Sequence, residues 1–313
     1  MTMTPHLLQS ESPTEELAML LVGDKKSGKS QLAATAPGNK LFLEFDQRLA
    51  ALRSHKNVKD IYGMSFSDTM DGKAPPNCFN EMLSVLNALE VSPLLRDVHG
   101  IFKDCGDKCV DTIVFDSVQT IADAARRYIL FNSPDVGKAY TMGQRTYRVA
   151  KSYHAWGGEM EMVTGAILQA RALLHCKVCL KSVTYKKDVN GTGHLTHTAL
   201  LDAKHDGHAP VAKAMNVIAI LHECMEEDER STEENPIYTG KIEVYPRRYN
   251  SLLVYFNEVW RLTRVNGRMP TVQCDPDGKF IQAATALGVA KIDQPDIQQV
   301  LANAKAMRGQ TTK

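Results

Sequence analysis

The chain lacks most of what would tie it to a bilayer or to bulk polyanion. No apolar run approaches the ~20 residues needed to span a membrane. Positive charge is not in excess either: 37 lysines and arginines face 36 acids, a net charge of +1, so a nucleic acid must be met by a local patch. The opening stretch, MTMTPHLLQSESPTEE, has neither a basic start nor an apolar leader segment. It reads as a disordered lead-in over residues 1–15. Without a leader, the seven cysteines are expected to be reduced thiols, available for burial, metal ligation or catalysis. No internal repeat is visible. These scarcities predict a soluble, cytoplasmic protein with no membrane partner.

What is present is alternation. Short apolar runs over 16–23, 40–46 and 111–117 read as strands, each followed by a helical or polar stretch. Helices are expected over 29–36, around FNEMLSVLNALE, over 118–131 and over 159–174. Two segments compete for the next central strand, 176–185 and 215–223. The second is favoured because it is uninterrupted and apolar, as a strand covered on both faces must be. Residues 175–213 then become an inserted excursion, with a hairpin turning at DVNGTG. An acidic surface loop is expected over 226–236, a hairpin over DPDG (275–278), and a last helix near PDIQQVLANAKAM. The pattern predicts an α/β fold with a mainly parallel sheet covered by helices on both faces. The core is expected over 16–262, with a C-terminal hairpin and helix over 263–313.

The sharpest motif is GDKKSGKS, Gly23 to Ser30, which fits G-x-x-x-x-G-K-[ST] between a predicted strand and a predicted helix. Gly23 and Gly28 let the backbone wrap so that N–H groups turn toward phosphate oxygens. Lys29 is placed to reach the β- and γ-phosphates of ATP, and the Ser30 hydroxyl to bind Mg²⁺. Asp24, Lys25, Lys26, Ser27 and Gln31 complete the expected cradle. Asp116, at the end of an apolar strand downstream, is the expected second holder of Mg²⁺. Hydrolysis also needs a group to orient water, and Glu44 and Asp46 are the acids available. His222 ends the proposed fourth strand and is a candidate γ-phosphate sensor.

The P-loop, then LFLEFD, then DTIVFDSVQTIADA, then NVIAILHE together resemble a RecA-like ATPase core, in which serine after the strand-end aspartate (Ser117) is habitual. More narrowly, the chain resembles short phage-type ATPases, including the Sak-type single-strand annealing and recombination ATPases. GKIEVYPRRYNSLLVYFNEVWRL (240–262) shares in that resemblance. It implies ATP-dependent work on single-stranded DNA by a homo-oligomer, in the host cytoplasm if the chain is phage-encoded. It also implies a catalytic glutamate where this chain carries Asp46, one methylene shorter.

Outside the core, residues 136–158 hold Lys138, Arg145, Arg148 and Lys151 with no acid, interleaved with Tyr140, Tyr147, Tyr153 and Trp156. Cations that track phosphates beside aromatic faces that stack bases suit single-stranded DNA; an amphipathic helix with solvated cations is the other reading. Cys105 and Cys109 precede the third strand, and Cys176 and Cys179 open the excursion. Four thiolates brought together there would suit a structural Zn²⁺, or Cys176 and Cys179 with two of His194, His197, His205 and His208. Arg247 and Arg248 could serve a neighbouring subunit's γ-phosphate. The leading expectation is a Mg²⁺-dependent ATPase acting on single-stranded DNA in recombination, annealing or repair. The alternatives are a nucleotide-regulated assembly or loader ATPase that leaves DNA untouched, and a helicase-type motor.

Overall fold

The computed structural model describes residues 17–46, 49–68, 75–92, 94–98, 108–133, 137–142, 145–150, 154–175, 186–187, 193–194, 213–227, 238–242, 252–263, 270–276 and 296–311, with positions 102, 105, 284–285, 287 and 291–292. The strands in chain order are β1 (Ala18–Gly23), β2 (Lys40–Glu44), β3 (Ile61–Ser65), β4 (Thr112–Asp116), β5 (Gly137–Met142), β6 (Arg145–Ala150), β7 (Leu174–His175), β8 (Lys186–Lys187), β9 (Gly193–His194), β10 (Lys213–Ala214), β11 (Asn216–Glu227), β12 (Tyr238–Ile242), β13 (Glu258–Thr263), β14 (Thr271–Gln273) and β15 (Lys291–Ile292). The helices are α1 (Lys29–Ala33), α2 (Cys78–Val91), α3 (Val118–Asn132), α4 (His154–Ala172) and α5 (Ile297–Thr311).

One sheet organises the chain, in the order β15-β14-β13-β1-β11-β4-β2-β3, with β12 added to β11. From β13 to β3 all neighbours run parallel; β12, β14 and β15 are antiparallel additions. β11 separates the P-loop strand β1 from β4, the strand that ends at Asp116. It is the apolar segment expected in the centre, and its burial on both faces explains its composition.

Strand alternation divides the core in two. Leu20, Val22, Leu41, Leu43, Ile113, Phe115, Val217 and Ala219 join one buried cluster with residues of α2, α3 and α4. Met19, Leu21, Phe42, Val114, Ile218, Ile220 and Trp260 join the other, with Leu32 of α1 and with Ile297 and Val300 of α5. Helices therefore cover both faces. The α1 face also receives the residues two steps past Phe42, Val114 and Ile220: Glu44, Asp116 and His222. Sequence alternation thus delivers three candidate site residues to one side of the sheet.

Several expectations change. β3, a half-buried edge strand, is not announced by the sequence, because Gly63 interrupts the short run IYGMS and its edge position leaves the apolar residues without a clean alternation. Residues of the 136–158 segment form an antiparallel hairpin, β5–β6, and not a helix until His154. β14 pairs antiparallel with β13 on one edge and with β15, beyond DPDG, on the other, while Asp277 and Gly278 of that turn lie outside the described residues. The expected acidic loop is partly strand, since β11 runs on to Glu227 and pairs with β12. In the excursion, β8 pairs with β9 across DVNGTG, as its turn residues predict. β7 and β10 pair at its neck.

Candidate nucleotide site

β1 is buried throughout and delivers Gly23 to the mouth of the site. Gly23 has φ 152°, and a Cβ there would collide with the Leu262 carbonyl oxygen of β13, so only glycine fits. Gly28 has φ 98° and starts α1 from a left-handed conformation. Between them Lys26 also takes a positive φ of 67°, and Ser27 N–H closes the turn on the Asp24 carbonyl at 3.2 Å. The sequence therefore builds a tight loop, as the motif requires.

Lys29 is buried, and its Nζ donates to the carbonyl oxygens of Gly23 and Asp24, each at 2.7 Å. It also reaches Ser27 Oγ at 3.4 Å. The ammonium is held inside the loop, on the side where an anion is expected. Asp24, Lys25 and Lys26 are exposed, Ser27 is buried, and exposed Gln31 gives its amide to the Ala51 carbonyl at 3.2 Å.

Ser30 Oγ donates to Asp116 Oδ2 at 2.6 Å. Burial pushes the Asp116 carboxyl up to about 6. The Ser30 hydrogen bond pulls the other way, Asp46 and Glu44 add to the rise by repulsion, and Lys29 opposes it. Two hard oxygen donors in contact, one of them an acid crowded by other acids, form a site that a divalent cation would stabilise. Ser30 and Asp116 are the residues that would hold Mg²⁺, which would offset the phosphate charge when bound.

The structure separates the two acids of β2's end. Glu44 is buried, and both oxygens are engaged: Oε1 accepts Leu49 N–H at 2.7 Å and Oε2 accepts the Ser65 hydroxyl at 2.6 Å. It ties β2 to β3 and to the chain that follows. Asp46 is half-buried and close enough to bear on Asp116. Of the pair, Asp46 is the more exposed.

His222 is the register partner of Gly23, and its carbonyl accepts Gln119 Nε2 at 3.1 Å. Gln119 lies in the first turn of α3, just past Ser117, whose hydroxyl caps that helix in a reciprocal box with Thr120. The end of β11 and the helix after Asp116 are thus linked.

A buried ion pair beside this site escaped the sequence reading. Glu223, next after His222, binds Arg261 of β13, Nε to Oε2 at 2.9 Å and the second guanidinium nitrogen to Oε1 at 2.7 Å. A charge inside each of two apolar strands that flank β1 was the available signal, since buried charges require partners.

Cys105 is half-buried and Cys109 buried, while Cys176 and Cys179 lie outside the described residues. Among the described residues no group of three or more His, Cys, Asp or Glu could hold a metal. His197, His205, His208, Arg247, Arg248, Lys151 and Tyr153 also lie outside the described residues, and only the backbone of His194 is described. No described helix is long and apolar enough to cross a membrane.

A comparison with curated proteins finds no match. A comparison with protein families matches the AAA domain over residues 15–188, more than half of the chain. That span takes in the P-loop, the β2 acids, Asp116 and the β5–β6 hairpin. The loop geometry, the Ser30–Asp116 contact and this match agree, and the chain belongs to the AAA domain family of P-loop ATPases.

Proposed function

We propose that the protein is a Mg²⁺-dependent ATPase that acts on single-stranded DNA, in the manner of the phage-type annealing and recombination ATPases its sequence resembles. Lys29 binds the β- and γ-phosphates, Ser30 and Asp116 hold the metal, and Asp46 orients the attacking water. His222 reads the γ-phosphate from the end of β11.

The observation that supports a DNA role is the register of the β5–β6 hairpin. Tyr140 is opposite Tyr147, Met142 opposite Arg145, and Lys138 opposite Val149. Pleating assigns these six residues to one face of the ladder, two aromatics flanked by a cation on each side. A pair of aromatic platforms between phosphate-seeking cations is the chemistry of sequence-tolerant single-strand binding. Arg148 falls on the other face, opposite Ala139.

The deciding experiment is ATP hydrolysis measured with and without single-stranded DNA. Stimulation by DNA, lost in Tyr147→Ala, is the expected result. Hydrolysis that ignores DNA, together with no binding in low salt with ATP, replaces this reading with the assembly or loader ATPase.

A further inference from the structure

The Glu223–Arg261 pair sits where three strands converge on the loop. β1 is flanked by β11 and β13. Arg261 is the register partner of Val22, and Glu223 follows His222, the partner of Gly23. The pair therefore bridges across the end of β1, on the face opposite α1, just below the first residues of the loop. Both side chains are buried and joined by one charge-assisted hydrogen bond, from Arg261 Nε to Glu223 Oε2, with a second guanidinium nitrogen 2.7 Å from Oε1 in an ion-pair contact.

Three observations connect this pair to the phosphate site. Gly23 is pressed against the carbonyl of Leu262, the residue after Arg261, so the loop's entry rests directly on β13. The carbonyls of Gly23 and Asp24 hold the Lys29 ammonium. Charge on Glu223 is felt by both Asp24 and Lys29. Glu223 is also the point where β11 leaves the parallel sheet and begins to pair with β12 through Ile242. A purely apolar contact would hold the three strands together equally well, and burying an ion pair is at best a weak gain in stability.

We propose that Glu223 and Arg261 are positioning residues for the nucleotide: an ion pair under the loop's mouth whose two charges act in opposite directions on how tightly the site holds phosphate. The proposal rests on the P-loop being a nucleotide site. Removing the carboxylate takes a negative charge from beneath the loop and strengthens phosphate binding. Removing the guanidinium leaves an unbalanced anion and weakens it.

The test is equilibrium binding of fluorescent ATP and ADP analogues to the full chain, with melting temperature recorded for each variant. Glu223→Gln is expected to tighten ATP-analogue binding by about threefold or more, and Arg261→Gln to weaken it by about threefold or more. The double variant returns to within about twofold of wild type. Each shift is larger for the ATP analogue than for the ADP analogue, because the extra phosphate carries more charge. A merely structural pair gives losses of the same sign in both single variants, tracking the fall in melting temperature, and that result overturns the proposal. So do shifts under about twofold in folded variants. If Arg261→Gln does not fold, Arg261→Lys keeps the charge and is expected within about twofold of wild type, while Glu223→Gln still tightens. A wild type that binds neither analogue removes the nucleotide site itself, which is a different failure from a wild type that binds and variants that do not shift.

Discussion

At the scale of single residues, Asp116 carries a clear free-energy cost of burial. Its carboxyl is raised from an ordinary 3.8 to about 6, chiefly by burial. Between those values the folded chain keeps a proton that the unfolded chain has lost. Stability contributed by this group is therefore lost as pH rises through that window, and the loss is complete above it. The rise corresponds to roughly 3 kcal/mol. Asp116→Asn keeps an acceptor for Ser30 and removes the cost. In metal- and nucleotide-free protein, the variant's melting temperature is expected to gain on wild type between pH 4 and pH 7; a gap constant with pH contradicts this. Mg²⁺-dependent turnover should be lost in the same variant, because a neutral amide is a far poorer ligand for a hard cation.

The neighbouring acids divide by the same reasoning. Glu44 spends both oxygens on Leu49 and Ser65, whereas Asp46 bears on Asp116. Asp46→Asn is expected to cut ATP turnover by about tenfold or more with nucleotide binding and melting temperature preserved. Glu44→Gln should instead lower the melting temperature, since an amide cannot accept from both donors as a carboxylate does; its cost is about 1–3 kcal/mol. Single-turnover hydrolysis alongside thermal unfolding separates the two. A larger turnover loss in well-folded Glu44→Gln reverses the assignment. Lys29→Ala removes the ammonium within the loop and is expected to abolish ATP-analogue binding.

At the scale of elements, the readable parts were those where one physical demand dominates. β1, β4 and β11 are covered on both faces, so their apolar composition announces them. The loop after β1 is legible because Gly23 and Gly28 meet steric limits no other residue meets. β3 was hidden by its half-exposed edge position, which relaxes the pattern. The β5–β6 hairpin was hidden because its segment lacks clean alternation, and its cations and tyrosines fit a helix as readily. Glu223 and Arg261 are 38 residues apart and become neighbours of one loop only through the sheet order. Register then sharpens what composition offered: Arg145 and Arg148 are equivalent in sequence, but only Arg145 shares a face with both tyrosines. Arg145→Ala is expected to weaken binding of a single-stranded oligonucleotide several-fold more than Arg148→Ala. Equal losses would mean that the hairpin presents no face.

At the scale of the whole molecule, a net charge of +1 makes any DNA affinity a local property. The salt dependence of binding then counts the contacts. Each phosphate neutralised on a single strand contributes about 0.7 to the slope of log affinity against log salt. Two cations on the hairpin face, Lys138 and Arg145, give a slope of roughly 1.4 if they alone engage, and further contacts steepen it by the same increment. Tyr147→Ala should weaken binding by about 1–3 kcal/mol and leave the slope unchanged, because stacking releases no counterions. Arg145→Ala should weaken binding and flatten the slope by one contact. Titrating a labelled oligonucleotide at four salt concentrations with ATP present measures both quantities. Diffuse attraction to a basic surface predicts instead a steep slope with no role for the tyrosine, so the two measurements together separate a stacking face from loose charge attraction.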